Sequence, residues 1–75
     1  MSTNFFSGTS MEILVNNQAV DIFRGARVKD AVLQYSLDEY REVIRGRKVV
    51  EDEQGIRLGL GGRLSATAHL NIVDR

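Results

Sequence analysis

The sequence contains no cysteine, and no apolar run approaches the 18 residues that would suggest a membrane-spanning helix. Without cysteine, the chain has no disulfide framework and no thiolate metal site. No charged segment precedes an apolar stretch at the start of the chain, so a secretory leader is not predicted. We therefore expect a soluble, cytoplasmic protein.

The sequence also lacks an excess of charge of either sign, because ten basic and ten acidic side chains cancel. A neutral chain has no long-range attraction for nucleic acid or for an anionic membrane. Its 75 residues form one small domain with little room for a deep catalytic cleft. We therefore predict a protein partner, no nucleic acid, no membrane and no cofactor.

The first part of the chain reads as a tail followed by a hairpin. Residues 1–10 are polar around Phe5 and Phe6 and show no periodicity, which predicts a disordered tail before a domain over residues 11–75. Two alternating segments then flank Asn16-Asn17, and asparagine tolerates the positive φ angles of tight turns. This pattern predicts a β-hairpin.

The stretch from Val28 to Gly46 is the helical part of the predicted core. Apolar residues recur at helical spacing in two groups, which are Val28, Ala31, Val32 and Tyr35, and then Tyr40, Val43 and Ile44. Between them, Ser36 and Glu39 have the spacing of a capping box, in which each side chain bonds the backbone amide of the other. A new helical turn is therefore predicted to start at Ser36.

The remainder of the chain predicts three strands. A strand over residues 48–51, a turn at Asp52–Gly55 and a strand over residues 56–60 form a second hairpin, and His69–Val73 alternates into a last strand. The predicted order is ββαβββ, with a mixed sheet of four to five strands packed on one helical segment. The fold class is therefore α+β.

This order of elements in fewer than 70 residues resembles the ubiquitin-like β-grasp fold. Met11–Asn17, Arg24-Gly25 and Val28–Leu33 are similar to the opening of the sulfur-carrier proteins of thiamine and molybdopterin biosynthesis and of TGS domains. Residues 60–64 and 70–73 are similar to the last turn and strand of the same fold. The resemblance implies a protein partner such as an adenylating or sulfur-transfer enzyme.

The chain departs from the sulfur-carrier pattern at its last residues, Val73-Asp74-Arg75, where those proteins have a reactive Gly-Gly terminus. Cleavage after Gly62 would expose a diglycine, but it would remove Leu64, Leu70 and Ile72 from the predicted core. We therefore predict a non-enzymatic protein-binding module. A sulfur carrier with a diglycine revealed by processing, and a TGS-like module associated with RNA, stay open as alternatives.

Strand parity predicts where such a module would bind. If Ile13, Val15, Leu70 and Ile72 face the helix, then Leu14, His69 and Val73 face away, and Phe23 from the second strand joins them. This gives a predicted protein-binding set of Leu14, His69, Val73 and Phe23. No catalytic or metal-binding residue is predicted, because His69 is the only histidine and no nucleophile flanks a base.

Overall fold

The computed structural model describes residues 10–75, so the predictions for the tail and for Phe5-Phe6 fall almost wholly outside the described residues. Ser10 is the exception, because it is the first residue of β1 and not the last of the tail. The elements in chain order are β1 Ser10–Val15, β2 Gln18–Phe23, α1 Val28–Tyr35, α2 Leu37–Ile44, β3 Lys48–Glu51, β4 Arg57–Leu58 and β5 His69–Asp74.

The strands form one five-stranded sheet in the order β2-β1-β5-β3-β4. β1 and β5 are parallel, whereas the other neighbouring strands are antiparallel. The predicted α+β class and mixed sheet are therefore confirmed. The single helical segment of the predicted order consists of two helices, α1 and α2, which meet at Ser36, where a new helical turn is predicted to start.

The turn of the first hairpin is built by two asparagines with left-handed backbones. Asn16 has a φ of 52° and Asn17 a φ of 66°, and Val15 pairs directly with Gln18. These are the features of a two-residue type I′ turn, whose twist matches that of the strands it joins. The hairpin predicted from Asn16-Asn17 is confirmed.

The core lies between the helices and one face of the sheet. Its buried members are Met11, Ile13, Val15, Val20, Ile22, Ala26, Val28, Ala31, Val32, Val50, Leu70 and Ile72. They alternate along the strands and recur at i, i+3 and i+4 in α1, as the sequence pattern predicted. The other face of the sheet is not covered by α1 or α2.

Ser36 ends α1 and starts α2. Its backbone is extended, with a φ of −167° and a ψ of 123°, and its hydroxyl oxygen accepts a hydrogen bond from the Glu39 amide at 3.2 Å. The reciprocal half of the predicted capping box is absent. The Ser36 amide donates to the Val32 carbonyl instead, and the Glu39 carboxylate accepts from Lys48 Nζ at 2.8 Å.

The apolar face predicted for α2 is partly wrong. Tyr40 and Val43 pack against the core, but the side chain of Ile44 is 57% exposed. α2 packs on α1 and β3. Successive residues of a helix are rotated by about 100°, so Ile44 lies beyond the contact that Tyr40 and Val43 make.

The strand predicted over residues 56–60 is also shorter than expected, since β4 contains only Arg57 and Leu58. The Asp52 carboxylate accepts from the amides of Gln54 and Ile56 at 2.8 and 2.9 Å, which holds Ile56 in the turn. After Leu58 the chain leaves the sheet, and the Leu60 carbonyl accepts from the Lys29 amide at the start of α1.

We predict that Val32→Asp destabilises the domain by at least about 3 kcal/mol, because it places an unpaired carboxylate in the core. Leu33→Asp is the matched control, since Leu33 is the next residue of α1 and is 40% exposed. It should cost about 1 kcal/mol or less. The measurement is urea denaturation followed by circular dichroism, and equal midpoints for the two variants would show that the buried face of α1 is assigned incorrectly.

Candidate interaction surface on the open face of the sheet

The face of the sheet turned away from the helices is called here the outer face. The side chains of the strands that alternate with the buried ones form it, namely Glu12, Leu14, Ala19, Asp21, Phe23, Val49, Glu51, Arg57, His69, Asn71 and Val73. Its position follows from the two-residue period of strands, because burial of one set of side chains directs the other set outwards.

Leu14 and His69 are direct neighbours at the centre of the outer face. The parallel register pairs Leu14 of β1 with His69 of β5, and both side chains are half-buried. The segment before β5 lies close by, because the Leu14 amide donates to the Ala68 carbonyl at 3.2 Å. Together with Glu12, Glu53 and Thr67 they line an open groove of about 370 Å³.

The His69 ring lies between two turns of the chain. Its Nε2 is 3.0 Å from Asn17 Oδ1 in the β1–β2 turn, and its Nδ1 is 3.4 Å from Glu53 Oε2 in the β3–β4 turn. Among residues 10–75 no group of His, Cys, Asp and Glu is arranged to hold a metal ion. The visible role of His69 is therefore to join the two turns that border the groove.

Val73 extends the apolar part of the outer face along β5. It pairs with Val49 of β3, and both valines are half-buried. Asn71 lies between His69 and Val73 on the same strand face and pairs with Glu51. We define the outer-face patch as Leu14, Val49, His69, Asn71 and Val73.

Phe23 lies apart from this patch, contrary to the prediction that it would join Leu14, His69 and Val73. It is paired with Ser10, whereas Leu14 is paired with Ala19, four residues away along β2. At a rise of about 3.3 Å per residue, Phe23 is therefore separated from Ala19, the partner of Leu14, by roughly 13 Å along β2. Val73 lies in the opposite direction along the sheet, so Phe23, which is 55% exposed, belongs to a different part of the surface.

The structure exposes further apolar residues that the sequence pattern does not predict to be on the surface. The sequence does not assign Val49 to the outer face, because in Val49-Val50 either residue could point inward until the pairing with β5 is known. On the helical side, Leu33, Leu37 and Ile44 are exposed by 40%, 51% and 57%. The seven-residue spacing of Leu37 and Ile44 was the available signal, because it places both on one helix face.

A basic cluster lies around the end of α2 and consists of Arg41, Arg45, Arg47 and Lys48. All of them except Arg41 lie close to a carboxylate of residues 10–75. Glu42 lies 4.0 Å from Arg45 and 3.7 Å from Arg47, and Lys48 bonds Glu39. The hydrogen bond to Glu39 raises the pKa of Lys48 above its ordinary value of 10.5, with weaker support from nearby acidic groups. On this surface, basic side chains therefore lie next to acidic ones of the same chain.

The backbone amide and the backbone carbonyl of Gly62 are both hydrogen-bonded within the fold. Its carbonyl accepts from the Val28 amide at 2.9 Å and its amide donates to the Gly59 carbonyl at 3.1 Å. A Cβ atom added at this position would lie 3.3 Å from the Gly59 oxygen, so the site is tight. Arg27 Nη1 also donates to the Gly61 carbonyl at 2.7 Å, which fixes the loop to the start of α1.

Comparison with known proteins gave no matching family model and no significant similarity to a curated protein or to a solved structure. Within residues 10–75, neither helix has the length and apolar character needed to cross a membrane.

Asn16 ties the β1–β2 turn to neighbouring elements close to Leu14 and His69. Its Nδ2 donates to the Tyr35 hydroxyl at 3.3 Å, and its Oδ1 accepts from the Ile72 amide at 2.8 Å. β5 extends beyond the end of β1 at this point, so the Asn16 side chain provides the bond that a further residue of β1 would have made. The turn is thereby tied to both α1 and β5.

We predict that Asn16→Gly destabilises the domain by about 1–2 kcal/mol, because two hydrogen bonds are lost while glycine still suits the left-handed backbone. Asn17→Gly is the control, since Asn17 has the same backbone conformation and loses only its contact with His69. It should change stability by less than about 0.5 kcal/mol. Thermal melts of both variants check this, and an equal loss would mean that the Asn16 side chain contributes nothing beyond turn geometry.

Proposed function

We propose that this chain is a non-enzymatic module of the ubiquitin-like β-grasp type that binds another protein through the outer-face patch. The fold part of the proposal is supported by the order of the elements and of the strands. A β-hairpin is followed by helices that cross to β3, and the first and last strands are parallel neighbours within the sheet.

The binding proposal is based on the outer-face patch. Leu14, Val49 and Val73 place apolar groups on a sheet face that neither α1 nor α2 covers, and His69 and Asn71 add polar groups between them. A small apolar centre with polar neighbours is the composition of a modest protein interface. The strands fix the backbone that carries these side chains, so little backbone entropy is lost when a partner binds.

The kind of partner follows from charge and from the sequence resemblance. The net charge of zero argues against a polyanion such as RNA, so the TGS-like alternative has less support. Similarity to sulfur carriers suggests an adenylating or sulfur-transfer enzyme as the partner, and the absence of cysteine suits a cytoplasmic location. The non-enzymatic assignment rests on the sequence, in which no nucleophile flanks a base.

A sulfur carrier that exposes a diglycine at Gly62 is the less favoured function. The hydrogen bonds of Gly62 to Val28 and Gly59 place it in an internal loop, and β5 follows it in the chain. Release of a terminus at Gly62 would remove Leu70 and Ile72, both of which are buried.

The proposal predicts that Leu14→Ser combined with Val73→Ser reduces capture of the partner at least about tenfold. Leu37→Ser combined with Ile44→Ser is the matched control, because it removes two exposed apolar side chains from α2. Asn71→Arg is a third variant that obstructs the patch without removing an apolar group. The measurement is quantitative mass spectrometry of proteins captured from a native lysate, with a thermal melt of each variant.

The expected result is a protein captured by the wild type and by the α2 variant but lost with both outer-face variants. Capture that survives in Asn71→Arg and in the Leu14/Val73 variant would place the interface elsewhere. A normal melt of Asn71→Arg excludes unfolding as the cause of any loss.

A further inference from the structure

β2 forms one edge of the sheet, and its pairing with β1 is regular from Ser10–Phe23 to Val15–Gln18. In a two-residue hairpin the closing pair is hydrogen-bonded, and bonded pairs then alternate with non-bonded pairs. On the other side of β1, the Leu14 amide donates to the Ala68 carbonyl just before β5, as this alternation requires, and the Asn16 amide in the turn donates to the Leu70 carbonyl of β5. The backbone groups of Ala19, Asp21 and Phe23 therefore point away from β1, towards the free edge.

Most of these edge groups have no partner among residues 10–75. The Phe23 carbonyl accepts from the Ala26 amide at 3.2 Å, but no described strand lies beyond β2. The opposite edge is different, because β4 has only two residues and offers little to pair with. β2 has six residues and contains no lysine, proline or bulge, so the charge of Asp21 is the one feature within this strand that would protect it as an edge.

The charge along this edge indicates which side chains a partner strand would carry. Asp21 is paired with Glu12, so two exposed carboxylates face each other on the outer face. Like charges in a cross-strand pair are destabilising. No ion pair within residues 10–75 includes either carboxylate, and residues 1–9 contain no lysine or arginine. A basic side chain on an added strand would relieve this repulsion.

The same charge disfavours a second copy of this chain. An antiparallel two-fold pairing that uses all the free backbone from Ala19 to Phe23 must be centred on Asp21. It would place Asp21 directly opposite Asp21 of the other copy, beside the two Glu12 carboxylates. Such a pairing adds like charges where the edge already has an excess of them.

We infer that β2 accepts an extended segment of a partner protein as an additional antiparallel strand. The segment has Lys or Arg opposite Asp21 and an apolar residue opposite Phe23, whose side chain is 55% exposed. The backbone groups of Ala19 and Asp21 and the Phe23 amide supply the hydrogen bonds, as in other strand-addition complexes. This site is distinct from the outer-face patch and does not depend on it.

The test uses two peptides with blocked ends, Thr-Val-Thr-Lys-Thr-Val-Thr and its twin with Glu in place of Lys. Each is titrated into the ¹⁵N-labelled full chain at low salt. The Lys peptide should shift the amide signals of Ala19, Asp21 and Phe23 and slow their hydrogen exchange. The Glu peptide should bind about five- to tenfold more weakly, because it adds a third carboxylate to the pair.

Matched variants separate edge pairing from other binding. Ala19→Pro removes an outward amide that β1 does not use, so it should abolish peptide binding while the melting temperature stays within a few degrees of that of Ala19→Ser. Ala19→Ser keeps the amide and should bind like the wild type. Asp21→Lys should reverse the preference to the Glu peptide, and Val73→Ser should leave peptide binding unchanged.

Equal binding of the two peptides, binding that survives Ala19→Pro, or no shift at millimolar peptide would each overturn the inference. Self-association of the chain through β2, seen as a concentration-dependent sedimentation coefficient that Ala19→Pro abolishes, would assign the edge to a second copy and would also overturn it.

Discussion

β5 lies at the centre of the sheet although it is the last strand in the sequence, and the other elements depend on it. It joins the β1–β2 hairpin on one side to β3 and β4 on the other. Leu70 and Ile72 are its buried side chains, and the Asn16 side chain bonds the Ile72 amide. Without β5 the two halves of the sheet would have no shared strand, and each half alone would be a hairpin of marginal stability.

The loop before β5 explains how the chain reaches this central position. Gly62 and Leu60 accept hydrogen bonds from Val28 and Lys29, so the loop is fixed to the start of α1 before β5 begins. The same attachment makes the diglycine an internal structural feature. It also places Ala68 and His69 beside Leu14, so the geometry of the outer-face patch depends on the loop as well as on the strands.

Features encoded by neighbouring residues could be predicted from the sequence. Local conformational preference predicts the Asn16-Asn17 turn and the cap at Ser36, and the two-residue period of strands predicts the inward faces of β1 and β5. The structure contains all of these features. The face on which Leu14, His69 and Val73 lie could be predicted for the same reason, because successive side chains of a strand point to opposite faces of the sheet.

Features that depend on distant partners could not be predicted in this way. Phe23 has the expected parity, but its distance from Val73 is set by the registers of separate strand pairs. Glu39 bonds Lys48 because α2 packs on β3, a contact that no local pattern encodes. The short β4 results from the hydrogen bonds of Asp52 and from the attachment of Leu60 to α1.

The two proposed surfaces use different properties of one sheet. The outer-face patch presents side chains of β1, β3 and β5, whereas the β2 edge presents backbone groups with which no described strand pairs. Both are proposed from an architecture in which α1 and α2 cover one face of the sheet and the strand order leaves β2 at an edge. Neither requires a reactive terminus.

The most direct test of this account is to end the chain at Gly62 and to measure its folding by circular dichroism and thermal melting. The account predicts an unfolded chain with no cooperative transition, and recovery of strand signal when a peptide of residues 63–75 is added. A chain ending at Asp74 is the control and should melt like the wild type to within a few degrees. A cooperative melt of the chain ending at Gly62 would contradict the central role of β5.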